Sequence, residues 1–203
     1  MLKEEIKMSD LTKTADAGRS ETGLKTRDVV YIGFFAALTA ICSWISIPMT
    51  VPFTLQTFAV FLSVIILGGK RGTISVVVYI LLGAIGLPVF SGFKGGLGVL
   101  LGSTGGYIIG FIASALIMWA FETFLGKKLW MYAVSMAVAL AACYAFGTVW
   151  FMIVYNNGND TPASLAMILG WCVIPFIIPD VVKIIAALII GQNKQIRKLV
   201  NND

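Results

Sequence analysis

Apolar residues run through this chain in long blocks separated by short polar, glycine-rich or proline-marked breaks, and the blocks predict membrane-spanning helices. The first block covers residues 29–47 and ends in Pro48 and Pro52, whose rings break a helix and stiffen a loop. A second block, from Thr54 or Phe58 to Leu67, leads into a tight basic turn over residues 68–72. The third block, residues 73–87, stops at Pro88, and a glycine-dense loop over residues 91–106 follows. The fourth covers residues 107–125 and the fifth residues 130–155, joined at Lys127 and Lys128. Residues 163–190 are too long for one straight span, and Pro175 and Pro179 interrupt them. They predict a short re-entrant or surface helix, then a sixth span over residues 179–190.

Six spans satisfy the tendency of Lys and Arg to collect in alternate connections on the cytoplasmic side. Lys25 and Arg27, Lys70 and Arg71, Lys127 and Lys128, and Lys194, Arg197 and Lys198 then share one side, leaving Lys94 and Asp160 opposite. Five or seven spans would strand the last basic cluster. The expectation is an all-α integral membrane protein with six transmembrane helices and cytoplasmic N and C termini. Residues 1–28 would be a polar cytoplasmic tail and residues 29–203 a six-helix membrane domain.

Composition supports this class: 58% of the 203 residues are hydrophobic and 12% charged, against about 25% charged in an ordinary soluble domain. The first 28 residues hold no apolar core, so no cleavable signal peptide is expected. The net charge of +5 raises the question of a nucleic-acid partner. The positive residues punctuate the spans and form no aromatic-interleaved basic face, so none is expected. No internal repeat marks the chain as a transporter built of inverted halves.

Asp180 and Lys183 are the most informative residues, an opposite-charge pair about one helical turn apart within PFIIPDVVKIIAALIIG. An ionisable side chain at membrane depth costs about 2.5–3.5 kcal/mol on insertion scales, which calls for a partner or a function. Pro179 before Asp180 reads as a helix start, where proline loses no needed donor and a carboxylate suits the positive end of the dipole. Two roles fit the pair: a bridge locking the last helix to its neighbours, or a charged lining for a pocket near the outer side. Thr54 and Gln56, in PFTLQTF, could close over a ligand or serve as a cap and an interfacial amide. Lys94 would either attract an anionic solute or remain a solvated loop charge. Gly33, Ala36, Ala37 and Ala40 form a small-residue stripe on the first helix, where another helix, internal or from a second protein, can approach closely.

Enzyme chemistry finds little support. The chain has no histidine, no G-x-S-x-G elbow and no Ser or Cys beside an obvious base. Cys42, Cys143 and Cys172 are isolated in apolar surroundings and read as packing residues, with no metal site. The glycine run GGLGVLLGSTGGY lacks the lysine of a nucleotide-binding loop, and GGKRGT lacks its spacing, so no ATP site is expected.

Three segments together, VPFTLQTFAVFLSVIILGGKRG (residues 51–72), GLPVFSGFKGGLGVLLGSTGGYIIGF (residues 86–111) and PDVVK (residues 179–183), resemble the BioY family, and the likeness extends over nearly the whole chain from Arg27. That family is the biotin-specific substrate-binding (S) component of energy-coupling factor (ECF) transporters. The chain departs from the family pattern at Ser103, Ile178 and Pro179, and keeps every candidate ligand group. The resemblance implies a multi-pass protein of the bacterial plasma membrane that captures biotin from outside, is not an enzyme and needs no cofactor beyond biotin as ligand. It implies as partners an ECF coupling subunit, which energises uptake, two cytoplasmic ATPase subunits and the lipid bilayer. It matches Ala36 and Ala40 to a first-helix contact with the coupling subunit, with Gly33 beside them. Asp180 and Lys183 would face the cyclic urea of biotin, joined in the binding set by Gln56, Thr54, Tyr107 and Lys94. Phe53 and Trp171, with Tyr107, are candidate aromatic walls, and the biotin carboxylate would meet Lys94 or water. A structural or assembly role, with the charge pair only a helix–helix bridge, and capture of another small vitamin stand as alternatives.

Overall fold

The computed structural model describes residues 24–159, 161–193, 195, 196 and 200, so the first 23 residues of the expected tail, Asp160, and the cluster of Lys194, Arg197 and Lys198 lie outside it. The described residues form helices α1 (Thr26–Trp44), α2 (Gln56–Leu67), α3 (Gly69–Ala84), α4 (Leu97–Leu101), α5 (Gly105–Leu125), α6 (Leu129–Gly158), α7 (Leu165–Cys172) and α8 (Ile174–Gly191). A two-stranded antiparallel hairpin, β1 (Ser46–Ile47) and β2 (Phe53–Thr54), links α1 to α2. The structure is thus mostly helical. Among the described residues, four segments are long and apolar enough to cross a bilayer: Thr26–Trp44, Gly105–Leu125, Leu129–Gly158 and Leu165–Gly191.

Helix α2 is the central column. Its sequence is apolar almost all round, with 10 of its 12 residues buried, and it packs against α1, α3, α5 and α8. Close approach depends on small residues: a Cβ at Gly72 of α3 would lie 2.5 Å from Val64 Cα, and one at Gly191 of α8 would lie 2.5 Å from Ile65 Cδ1. Polar bonds tie the same helices, with Ser75 of α3 donating to the Ile32 carbonyl of α1 at 3.1 Å. Helices α5 and α6 make the most extensive pairing, and Ser114 Oγ donates to the Ala139 carbonyl across it at 3.0 Å.

Arg71 and Lys127, with Lys70 and Lys128 beside them, gather where α1 and α3 begin and α5 ends, whereas Lys94 and Lys183 border a cavity. Arg71 pairs with Asp28 at 2.7 Å and Lys127 with Glu122 at 3.2 Å. Glu122 also accepts the Gly69 N–H at 2.8 Å. This last bond corrects the expected turn over residues 68–72. Only Gly68, at φ +82°, breaks the chain, and a carboxylate from α5 caps the new N-terminus, so α3 starts at Gly69 with Lys70, Arg71 and Gly72 already helical.

Other boundaries also move. The first helix begins at Thr26 rather than at residue 29. The proline-marked loop is the tip of the hairpin, and the glycine-dense loop contains the short helix α4. The last helix begins at Ile174, with Pro175 in its first turn and Pro179 inside it. Pro179 lacks the N–H that would have met the carbonyl of Pro175, and its ring crowds that carbonyl, so the hydrogen-bond ladder of α8 is interrupted there. Asp180 is therefore not at the positive end of a helix, contrary to the expectation, and other groups must meet its charge.

The small-residue stripe on α1 is split. Ala36 and Ala40 turn inward, 1% and 6% exposed, because their missing bulk is used where α1 packs on its neighbours. Of the residues expected to face a partner, only Gly33 is exposed, with open space beside it; Ala37 is exposed too.

Gly72→Val should therefore lower stability in detergent by about 1–3 kcal/mol, as overpacking does, whereas Gly33→Val, on an open face, should leave the melting temperature close to that of the parent. Thermal unfolding of the two variants side by side checks this.

Candidate functional site

Helix α8 buries both charges: Asp180 is 2% and Lys183 6% exposed. One turn apart, they meet directly, Lys183 Nζ lying 2.7 Å from Asp180 Oδ1. A buried pair left to itself seldom repays its desolvation, so the added bonds matter. Lys183 also donates to the Thr54 carbonyl at 2.6 Å and to Thr57 Oγ1 at 3.2 Å, and its ammonium sits 4.2 Å from the centre of the Phe53 ring. Thr57 in turn donates to Asp180 Oδ1 at 3.0 Å, and the Tyr144 hydroxyl donates to Asp180 Oδ2. Three elements thus converge: α8 supplies the charges, the β2–α2 junction supplies Thr54 and Thr57, and α6 supplies Tyr144.

A second polar chain begins at the same junction. Thr54 Oγ1 donates to Gln56 Oε1 at 2.8 Å, Gln56 Nε2 donates to the Tyr79 hydroxyl, and Tyr79 donates to the Val89 carbonyl at 3.2 Å. Gln56 is thus an interior residue, 5% exposed, and not an interfacial one. Tyr107 is fixed from α6, its hydroxyl 3.1 Å from Thr148 Oγ1 and its ring against Gly147, where any side chain would collide with it. Among the described residues every buried side-chain nitrogen and oxygen has a partner.

These groups border a cavity of about 310 Å³, a size at the lower end of small-molecule sites, roughly 300–1,000 Å³. Thr54, Gln56, Lys94, Tyr107, Asp180 and Lys183, all singled out from sequence, line it. The Met49, Thr50, Val51 and Pro52 tip of the hairpin also borders it, at the end of the helices opposite the basic cluster. Lys94 is exposed, on a loop closed where the Phe90 N–H meets its carbonyl at 2.9 Å. The aromatic walls differ from the expectation. Phe53 supports Lys183 and stacks on Phe176, and Trp171 packs against Tyr155, so neither lines the cavity; Phe90, Phe111 and Phe176 do. The packing cysteines Cys42, Cys143 and Cys172 are buried, and the last two also touch the cavity.

Thr57 and Tyr144 escaped the sequence reading. Thr57 adjoins Gln56 in PFTLQTF and carried a readable signal, a hydroxyl at the start of an apolar run. Tyr144 sits in a helix without polar periodicity, and only the arrival of α8 beside α6 gives its hydroxyl a partner.

The chain is similar in sequence and in overall fold to known proteins. The sequence profile of the BioY family matches residues 13–202. The biotin transporter BioY of Thermotoga maritima is 41% identical over 166 residues, which cover 81% of this chain and 94% of that protein. The probable biotin transporter BioY of Pyrococcus horikoshii is 39% identical over 175 residues, covering 85% and 98%. A crystal structure of the S-component for biotin from an ECF-type ABC transporter matches with a TM-score of 0.74 at 25% identity, covering 87% of this chain and 94% of that one.

Breaking the pair from one side should destabilise the protein more than removing it. Lys183→Met leaves a buried carboxylate without its cation and should cost about 3–5 kcal/mol, while adding Asp180→Leu to it should recover part of that loss. Melting of the ligand-free single and double variants measures the difference.

Proposed function

The chain belongs to the BioY family, and from that premise we propose that it is the membrane subunit that captures biotin from outside the cell for an ECF-type transporter. It is a binding component and not an enzyme. The observation that carries the reading is a hydrogen-bonded acid–lysine pair set in a cavity that opens at the end of the helices opposite the basic cluster. Biotin offers a cyclic urea with two N–H donors and one strong carbonyl acceptor, which a carboxylate and neighbouring donors complement.

The Asp180 carboxylate can supply only part of the affinity. Charge-assisted hydrogen bonds contribute about 1.5–3 kcal/mol each, so two give roughly half or less of the ~12 kcal/mol that nanomolar capture needs. Apolar burial supplies the remainder. Phe111 and Phe176 are placed to cover the sulfur-containing ring and the aliphatic chain, with Gln56, Thr54 and Tyr107 as further contacts. The carboxylate of biotin would then lie toward the mouth, within the field of Lys94. No cofactor is required.

Six membrane crossings follow when α2 and α3, with α7 and α8 taken as one broken crossing, are added to α1, α5 and α6. Helix α2 has only 12 residues, and α1, α3, α5 and α8 pack around it. The clustering of Lys25, Lys70, Arg71, Lys127 and Lys128 supports placing that end, and both termini, in the cytoplasm of a bacterial plasma membrane. The membrane domain would begin with α1 at Thr26, three residues before the boundary expected from sequence. The coupling subunit would meet this protein through the outward face of α1 at Gly33 and Ala37, where a helix can come close, and the two cytoplasmic ATPases would act through that subunit.

A structural or assembly membrane protein, with the charge pair only a helix–helix bridge, is a distinct reading favoured by the pair's internal bonds. It predicts identical melting with and without biotin, whereas a binder is stabilised by mass action, by about 2.7 kcal/mol at a ligand concentration of 100 Kd. Asp180→Asn should greatly weaken equilibrium binding of radiolabelled biotin while the protein stays folded in detergent. Unchanged affinity would refute the role given to Asp180.

A further inference from the structure

Counting donors and lone pairs around Asp180 leads to a residue that neither the sequence nor the family likeness singles out. Lys183 has three protons, and all are engaged, by the Thr54 carbonyl, Thr57 Oγ1 and Asp180 Oδ1. Asp180 Oδ1 receives both Lys183 and Thr57. Among the described residues, Oδ2 receives only the Tyr144 hydroxyl, so it is the one carboxylate oxygen whose donor can be exchanged without disturbing Lys183 or Thr57. Tyr144 is half-buried, lines the cavity beside Asp180, and its oxygen accepts no hydrogen bond from any described residue.

We propose that Tyr144 is a selectivity residue whose hydroxyl reads the carbonyl of the ligand's cyclic urea. The inference rests on the biotin reading above. In a cyclic urea each N–H and the C=O point along one edge, so the edge asks for an acceptor beside a donor. Asp180 Oδ2 and the Tyr144 O–H are such a couple on two different helices. As the ligand arrives, its N–H takes the place of Tyr144 on Oδ2, and the freed Tyr144 proton turns to the ligand carbonyl. The Asp180 oxygen and the Tyr144 proton both stay paired through the exchange. Lys183 swinging away instead would release the buried Thr54 carbonyl or the Asp180 charge, either of which is costly without water. Lys183 accordingly keeps its bonds, holding α8 to β2, while Tyr144 supplies the movable donor.

The test compares biotin with 2-thiobiotin, whose C=S accepts hydrogen bonds more weakly, on the parent protein and on Tyr144→Phe. Equilibrium binding of both ligands to the same preparations gives a cycle in which any loss of folded protein cancels in the ratio. The parent should prefer biotin, and Tyr144→Phe should weaken biotin on the order of tenfold while weakening 2-thiobiotin less, so that the preference shrinks. If Tyr144 only supports Asp180, both ligands weaken equally, the ratio stays as in the parent, and the proposal fails. A parent protein that binds both ligands alike also overturns it. Failure of the parent to bind biotin at all would instead sink the biotin reading.

Discussion

Everything in this fold answers to one constraint: a carboxylate and an ammonium sit on a helix that is otherwise apolar, away from water. Their mutual attraction does not by itself offset what they lose on leaving water. The structure meets the deficit with donors and acceptors brought from distant parts of the chain. Lys183 reaches the backbone of Thr54, Thr57 bridges both charges, and Tyr144 closes on the far oxygen of Asp180. Remove the hairpin or shift α6, and the charges lose their complement.

That need explains features that look unrelated. Helix α2 is short and almost wholly buried because its first turn must deliver Thr57 and Gln56 next to α8. The hairpin holds the carbonyl of Thr54 over Lys183 while its tip borders the cavity, so the segment that meets the charge is continuous with the segment that shapes the opening. Gly72, Gly147 and Gly191 serve the same end by letting neighbouring helices close on α2 and Tyr107 without a void. At the opposite end, Glu122 caps α3 and pairs with Lys127, anchoring the basic side by local charge rather than by a cavity.

Much of this could be read from the chain, and the exceptions have identifiable causes. The four segments long and apolar enough to cross a bilayer among the described residues coincide with apolar blocks of the sequence. The six proposed ligand residues border one cavity because each was polar where lipid would not require it. Helix starts were harder. Gly68 ends one helix and the next begins immediately only because Glu122, 53 residues away in sequence, caps it. Pro179 looked like a beginning but lies inside α8, since Pro175 already fills the first turn. Ala36 and Ala40 looked like an open stripe, yet which face of α1 turns inward depends on helices that arrive later in the chain. The hairpin strands are two residues each, below what an alternating pattern can signal. Tyr144 was silent for a similar reason: its partner is on another helix.

The central claim is that a small cyclic guest completes the bonding of Asp180 and its neighbours. Its most direct test is a density map of the biotin-bound protein that resolves the head group. The account predicts the urea ring within hydrogen-bonding distance of the Asp180 carboxylate, with Lys183 still on the Thr54 carbonyl. A ring seated elsewhere, with the internal bonds of the pair unchanged, would contradict it.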